Sequence, residues 1–205
     1  MAAPPYILTS NGDVAMNDLP NTTAISFGDT PSPLGINMTD IGSAGKFLSA
    51  GTNPGTAGGD YIVAVFALPA GTFGQLGRGL LFEAGGGFAN NTNAKRCKLI
   101  WQPTTTPVVG ALVSGGTAIA DTGIYSTTGA VGWSLAANVF KLGALGSNTQ
   151  LGIHLGAQIG ATVGSLLSPQ ALTAVESGII YVALTANGVA TTDITVNFMF
   201  TNGVN

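Results

Sequence analysis

The sequence predicts an all-β protein: an eight-stranded, jelly-roll-like antiparallel β-sandwich that follows an extended N-terminal arm. Three observations indicate this fold class. From residue 59 onward, short apolar runs alternate with turn clusters rich in Gly, Asn, Thr and Ser. Several runs alternate apolar and polar residues with a period of two, as half-buried strands do. No segment from residue 59 onward has the three- and four-residue spacing of a long amphipathic helix, so a helix-containing layer is not expected.

Residues 1–58 form the predicted arm. Breakers such as "TPSPLG" and "GTNPGTAGGD" interrupt this part, and its apolar residues recur singly or in pairs, too sparsely for a core of their own. We expect the arm to lie extended over a neighbouring surface and to add a strand to another subunit's sheet edge. The residues predicted to bind the partner are Ile7, Leu8, Ile25, Phe27, Leu34, Ile36, Phe47 and Leu48.

Residues 59–205 form the predicted sandwich domain. The triple glycine 85–87 is interpreted as a flexible loop between strands, with an anion-binding nest as the less favoured reading. The segment 168–178 is expected to hold one helical turn or a short helix. Asn187-Gly188 accepts positive φ and predicts a tight hairpin before the last strand. The eight predicted strands are 60–68, 78–84, 95–101, 117–126, 132–142, 149–163, 178–186 and 191–201.

The stretch "LGIHLGAQIGATVG", residues 151–164, permits two interpretations. Glycine at every fourth position is typical of closely packed transmembrane helices. The apolar stretch is nevertheless short for a membrane span, and four interior glycines would cost a helix in water roughly 4 kcal/mol. Every odd position from 151 to 163 is apolar. We therefore interpret the stretch as a strand whose odd positions face the core.

Two further patterns predict how the strands face. In the last strand, Ile194, Val196, Phe198 and Phe200 occupy alternate positions, which predicts one apolar face. The runs "YIVAVFAL" and "GIIYVALTA" are apolar on both faces, which predicts that one face packs internally and the other packs against a partner. Three copies can bury such faces around an axis, so we expect a homotrimer.

Composition limits the classes of partner. Charged residues make up 7% of the chain and hydrophobic residues 45%, so charge alone cannot cover the surface of a lone molecule. The net charge of −3 argues against nucleic acid, which requires a basic face. The basic cluster Lys95, Arg96 and Lys98 is interpreted as a solvated strand end, with an anionic contact on a partner subunit as the alternative. The longest apolar run is too short to cross a membrane, and the N-terminus lacks the pattern of a signal peptide, so we expect synthesis in the cytoplasm without classical export.

No catalytic, metal or cofactor site is predicted. The segment around Ser134 is one residue from a nucleophile elbow, and His154 is the only histidine, but the alternation continues as a strand where the elbow needs a helix. Gly45-Lys46 is followed by Phe47, where a phosphate-binding loop needs Ser or Thr. The single cysteine, Cys97, excludes an internal disulfide and is read as a core residue. Four aromatic residues lie within predicted strands, where packing in the core is the default, so we do not predict a sugar-stacking platform. They are Trp101, Tyr125, Trp133 and Tyr181.

Four segments, "GDYIVAVFALPAGTF", "NNTNAKRCKLIW", "GWSLAANVFKLGALGSNTQ" and "ESGIIYVALTANG…TTDITVNFMF", resemble a group of virion-associated structural proteins of tailed bacteriophages. The resemblance covers residues 59–205. It implies an accessory capsid protein, a decoration or cement trimer on the outside of the phage head, anchored through the arm to the major capsid protein or to neighbouring trimers. Trimeric jelly rolls of the tumour-necrosis-factor and C1q type share the architecture. The alternative is a receptor-binding module of a head or tail fibre, which would carry aromatic, Asn and Asp residues on its loops.

Overall fold

The structure, a computed structural model, describes residues 25–26, 33–34, 59–74, 76–164 and 166–204. The described residues form strands, turns and connecting segments, with no helix among them. Two antiparallel sheets pack face to face around one main hydrophobic cluster. The predicted fold class, an all-β antiparallel sandwich, is confirmed. Correspondingly, no described segment is a helix that could span a membrane.

Twelve strands are present in the described residues, and all eight predicted strands are among them. The predicted strand 149–163 is divided by a turn at Gly160, whose φ is +57°. The strands are β1 Ile25–Ser26, β2 Pro33–Leu34, β3 Tyr61–Leu68, β4 Gly79–Phe88, β5 Arg96–Trp101, β6 Thr117–Asp121, β7 Val131–Lys141, β8 Thr149–Ile159, β9 Thr162–Val163, β10 Gln170–Thr173, β11 Ile180–Asn187 and β12 Ile194–Val204.

The strand order explains how one chain builds both layers. The six-stranded sheet has the order β10-β8-β7-β4-β12, with β9 paired to β8, and the four-stranded sheet has the order β3-β11-β5-β6. The chain changes sheets five times, after β3, β4, β6, β10 and β11. These crossings carry the chain back and forth between the two layers that enclose the core. β1 and β2 form a separate antiparallel pair.

The core is dominated by aromatic and branched side chains from both sheets. Phe88 is stacked between Tyr125 and Trp133, with ring centroids 5.7 and 5.8 Å apart. The ring of Phe73 meets Trp101 edge-on at 5.7 Å. Such aromatic pairs contribute about 0.5–1.5 kcal/mol beyond the area they bury. Both tryptophans are therefore core residues, as predicted.

The triple glycine lies inside β4 and not in a loop, so that prediction was wrong. A Cβ atom at Gly85 would stand 2.6 Å from the ring of Phe198, and one at Gly86 would stand 1.9 Å from the carbonyl oxygen of Thr195. That carbonyl turns inward to accept a hydrogen bond from the indole N–H of Trp133, at 3.2 Å. Glycine is required here because a ring and a backbone approach β4 closely.

Two further local predictions were wrong. Gln170–Thr173 is a strand that pairs with β8, where the sequence predicted a helical turn. Leu172 points into the core, and pairing with a neighbouring strand overrides the weak local helix preference. Asn187-Gly188 does not form a tight hairpin, because β11 and β12 belong to different sheets. The connection between them is held by Asp193, which accepts hydrogen bonds from the backbone N–H groups of Val189 and Ala190.

Candidate partner-binding face

A β-bulge in β8 reverses the direction in which its side chains point. Ala136 of β7 pairs with Gly156, and Ala137 pairs with His154, so Leu155 is an extra residue in β8. A bulge that inserts one residue shifts every later side chain by one position. Before the bulge the buried positions are Gln150, Gly152 and His154, and after it they are Ala157 and Ile159.

The predicted facing of β8 is therefore right only after residue 155. Leu151 and Ile153, which the alternation assigned to the core, lie half-buried on the outer face of the sheet. Gly152 faces inward, where an added Cβ would meet Ile119 and Leu172 at 3.0 Å. Gly152 thus makes room for the opposite sheet, whereas a Cβ atom added at Gly156, after the bulge, would meet nothing within 4 Å.

A second bulge has the same effect in β12. Val196 pairs with Gly86 and Phe198 pairs with Gly85, so Asn197 is the extra residue. After it, Met199 and Thr201 face the core, and Phe198 and Phe200 face outward. The sequence assigned these two phenylalanines to the same face as Ile194 and Val196, and that assignment was wrong. Two bulges thus place apolar residues of two strands on one outer surface.

We call this outer surface of the six-stranded sheet the open face. Each of its defining residues is half-buried in the single chain, and strand register brings all of them to one side of the sheet. The ring of Phe198 lies over Gly85, and the rings of Phe198 and Phe200 are 5.9 Å apart. The open face consists of Leu81, Glu83, Ala136, Asn138, Phe140, Leu151, Ile153, Phe198 and Phe200.

Two hydrogen-bond acceptors lie in the middle of the open face. Glu83 pairs across the strands with Ala136 on one side and Phe200 on the other. Asn138 pairs with Leu81 and Ile153, and its Oδ1 atom is buried without a hydrogen-bond partner. The two acceptors are diagonal neighbours on β4 and β7, a relation that separates residues by about 7–8 Å. Neither acceptor has a hydrogen-bond donor among the residues that the structure describes.

Among the described residues, Glu83 is the only charged one without an ion pair or hydrogen bond. The two basic residues at the start of β5 illustrate the contrast. Arg96 donates hydrogen bonds to both carboxylate oxygens of Asp121, and Lys98 Nζ lies 2.6 Å from Oδ2 of Asp60. Burial opposes ionisation of Asp121, but the hydrogen bonds from Arg96 and from the Gly123 N–H outweigh it and lower its pKa.

The third residue of the basic cluster is enclosed completely. Lys95 is 0% exposed, and its Nζ donates to the carbonyl oxygens of Asn91 and Asn93 at 2.8 Å each. The same loop is fixed from the other side, because the side chains of Asn91 and Asn93 donate to Asp193. The predicted solvated strand end is thus replaced by three basic groups that are neutralised or buried within the chain. The cluster offers no free basic surface to an anionic partner.

A buried ion pair holds the other end of the six-stranded sheet. Lys141 Nζ lies 2.6 Å from Oε1 of Glu176, which also accepts a hydrogen bond from Gln150 at 2.6 Å. Arg78 is also buried and donates to the carbonyl oxygen of Thr72. All five of the lysine and arginine residues that the structure describes are therefore engaged internally.

The outer surface of the four-stranded sheet is covered by the chain itself. Ile62, Ile100 and Ala183 are buried there in a small cluster against which Val113 packs. The segment that contains Val113 also bonds to the free edge of β3, since Ile62 N–H donates to the Ala111 carbonyl at 2.8 Å. The second apolar face of β3 and β11 was predicted to meet a partner. In the structure it is occupied within the chain.

Ser134 and His154 do not form a nucleophile–base pair. Ser134 lies on the outer face of β7, and His154 lies on the inner face of β8, so the sheet separates them. The Nδ1 atom of His154 accepts a hydrogen bond from the Leu167 N–H at 2.9 Å. Burial lowers the pKa of His154, opposed only in part by the backbone of Gly156 and the Asp121 carboxylate. Cys97 is buried as predicted, and burial raises its pKa.

The residues predicted to bind the partner lie outside the described side chains. Only the backbones of Ile25 and Leu34 are described, and they pair with each other between β1 and β2. Sequence reasoning missed the open face. The available signal was the large side chain Phe140, because the alternate positions Leu135, Ala137 and Val139 of the same strand already supply a core. No cluster of His, Cys, Asp or Glu in the described residues is arranged to hold a metal ion.

Comparison of this chain with protein-family models, with curated proteins and with solved structures finds no match.

Proposed function

We propose that the chain is a structural protein of a phage virion, a homotrimeric decoration protein that binds the outside of the head and stabilises the shell. The observation that carries this proposal is the open face, an apolar surface on a sandwich whose other described charged groups are ion-paired or hydrogen-bonded within the chain. An apolar patch of this kind marks an interaction site. A protein built for assembly needs few surface charges, because copies and a shell cover its exterior.

The proposed mechanism is stabilisation by mass action. A trimer that binds only the assembled shell, and bridges several major capsid subunits, opposes their dissociation under the pressure of packaged DNA. Three linked contacts bind far more tightly than one, because the second and third attachments are intramolecular. In this proposal residues 1–58 supply the contacts to the major capsid protein and to neighbouring copies through the eight apolar residues named above, and the sandwich supplies the body of the trimer. No cofactor and no catalytic step are part of the proposed role.

The alternative, a receptor-binding module of a fibre, receives less support. A sugar-stacking platform needs exposed aromatic rings, whereas Trp101 is 1% exposed and Trp133 is 3% exposed. The large apolar residues most exposed on described loops are aliphatic, among them Leu76, Leu145 and Leu166. These side chains lack the polar groups with which proteins orient a sugar.

Electron microscopy of purified virions that carry the chain tests the proposal. We expect density for trimers at many symmetry-related positions on the head surface. Heads assembled without the chain should release DNA at a lower temperature than heads that carry it. Density confined to fibre tips, together with binding of the full chain to a glycan array, would instead establish the alternative.

A further inference from the structure

We infer that the open face binds the Lys46–Leu48 segment of a neighbouring copy, with the Lys46 ammonium group held between Glu83 and Asn138. The inference rests on the self-association that is part of the proposed function, and it names the contact that would produce it. The capsid attachment is a separate matter and does not enter the argument.

The first step concerns what the open face lacks. Its centre holds two hydrogen-bond acceptors, the Glu83 carboxylate and the Asn138 amide oxygen, and no described residue donates to either of them. Half-buried apolar side chains surround them, so the carboxylate lies in a setting where an opposite charge interacts more strongly than in water. A suitable occupant therefore brings a cation with several donors on an otherwise apolar segment. The ammonium group of lysine has three donors and no acceptor.

The second step is a charge count. The chain contains six lysine and arginine residues, and the five at positions 78, 95, 96, 98 and 141 are paired or buried within the sandwich. Lys46 is the remaining one. It is followed directly by Phe47 and Leu48, so it presents a cation and two large apolar side chains in sequence. A cation next to apolar side chains is complementary to the open face, which has a carboxylate among apolar side chains.

The third step is reach. Lys46 precedes Gly59, the first residue of the continuous described chain, by thirteen residues. Such a length extends at most about 45 Å. A domain of this size has a radius of gyration of about 15 Å, so the segment is long enough to reach an adjoining copy.

The fourth step is symmetry. If two open faces met directly, the Glu83 carboxylates of both copies would be buried in one apolar interface with no cation to pair them. A contact between the arm of one copy and the open face of the next joins two different surfaces. Contacts of this kind close into rings when the rotation permits, and a three-membered ring is the predicted trimer.

Charge reversal and charge exchange test the inference in solution, without capsids. The full-length variants are Glu83→Lys, Lys46→Glu and the double variant, compared with the wild-type chain by sedimentation over a range of concentrations. We expect each single reversal to weaken self-association about tenfold or more, and the double variant to recover most of that loss. Ala67→Lys, on the exposed outer side of β3, is the matched control and should leave association unchanged.

If Glu83→Lys fails to fold, Glu83→Gln provides the same comparison. We then expect a smaller loss of self-association than for the charge reversal, and an association constant that depends less on salt than that of the wild-type chain. A double variant that associates as weakly as the single variants would overturn the inference. So would a Glu83 variant that weakens association while Lys46→Glu has no effect, because the cation would then come from elsewhere. A wild-type chain that stays monomeric at all concentrations would overturn the trimer of the proposed function as well.

Cross-linking decides between a neighbouring copy and the same chain. One tagged chain carries Ser49→Cys, a second with a different tag carries Ala136→Cys, and the mixture is treated with a short bis-maleimide. Cys97 is buried and should not react. We expect a cross-link between the two tags. A cross-link that forms only in a chain carrying both substitutions would show that the arm binds its own sandwich, contrary to the inference.

Discussion

The outer surfaces of the two sheets differ in how they are covered. On the four-stranded sheet, Val113 packs against a buried apolar cluster, and the chain neutralises the charges at the start of β5 with Asp60 and Asp121. On the six-stranded sheet, half-buried apolar side chains surround a carboxylate that no other described residue pairs with. The first surface is covered by described residues of the same chain, and the second is the one that we propose another segment covers.

This difference is the reason that we propose the six-stranded sheet, and not the four-stranded one, as the surface for assembly. Hydrophobicity alone would have chosen the four-stranded sheet, because β3 and β11 are apolar on both faces. Burial within the chain explains their composition. A surface for a partner is better recognised by apolar residues that stay half-exposed and by polar groups that stay unpaired.

The largest expected effect comes from placing a charge on each surface in turn. Ile100→Asp introduces a carboxylate into the covered cluster, where Ile100 is 6% exposed, and an unpaired buried charge should cost more than about 3 kcal/mol of the free energy of unfolding. Ile153→Asp introduces the same charge at a half-buried position of the open face and should cost the dissociated chain about 1 kcal/mol, clearly less than Ile100→Asp. Its effect should appear in self-association instead.

Thermal unfolding at a concentration where the wild-type chain is dissociated, combined with sedimentation at high concentration, separates the two effects. Low concentration is needed because association itself raises apparent stability. Equal destabilisation by both substitutions would mean that the open face is covered by its own chain. Unaltered association of the Ile153→Asp chain would remove the open face as an interface.

The sequence was sufficient for the strands and for the sandwich, because apolar runs and glycine-rich turns are local signals. It was insufficient for the open face, because the direction of a side chain in β8 or β12 depends on the residues before it. One inserted residue, Leu155 or Asn197, reverses all later positions. No local pattern marks either residue as a bulge, since each is fixed by pairing with a strand distant in sequence.

The pairing of charges was equally non-local. Lys95, Arg96 and Lys98 form a basic run in the sequence, and nothing near them indicates that they are neutralised. Arg96 finds its partner 25 residues away, and Lys98 finds its partner 38 residues away. The positions of charged residues in the sequence therefore gave the wrong picture of which basic groups are free on the surface.

A smaller effect contrasts an enclosed carboxylate with the free one. Asp193 is 0% exposed and accepts hydrogen bonds from two asparagine side chains and two backbone N–H groups. Asp193→Asn replaces acceptors with an NH₂ group that faces these donors, which should cost about 2–3 kcal/mol. Glu83→Gln should cost about 0.5 kcal/mol or less in the dissociated chain. Urea unfolding of both variants measures the difference, and similar losses would contradict the assignment of Glu83 as unpaired.

The smallest effect separates the two faces of a single strand. Ile153 faces outward, and the adjacent His154 faces the core, where its Nδ1 accepts the Leu167 N–H. Protonation would place a hydrogen on Nδ1, break this bond and bury a charge. Burial accordingly lowers the pKa of His154 in the folded chain, despite the opposing backbone of Gly156 and Asp121 carboxylate. The unfolded chain therefore binds more protons below about pH 6.5, the ordinary histidine value.

Stability should then fall as pH decreases from about 6.5 toward the folded-state pKa, and this contribution should stay constant below it. Each pKa unit by which the folded-state value of His154 lies below its unfolded-state value adds about 1.4 kcal/mol to this loss of stability. His154→Asn keeps an acceptor near Nδ1 and removes the titration, so its free energy of unfolding should be flat between pH 7 and 5. Asp121 and Asp193 do not interfere, because hydrogen bonds lower their pKa values despite burial and they titrate in more acidic solution. If amide exchange at Leu167 becomes faster in acid only in the wild-type chain, the loss of stability lies at the inner face of β8. Equal pH dependence of stability in the wild-type and His154→Asn chains would exclude His154 as its origin.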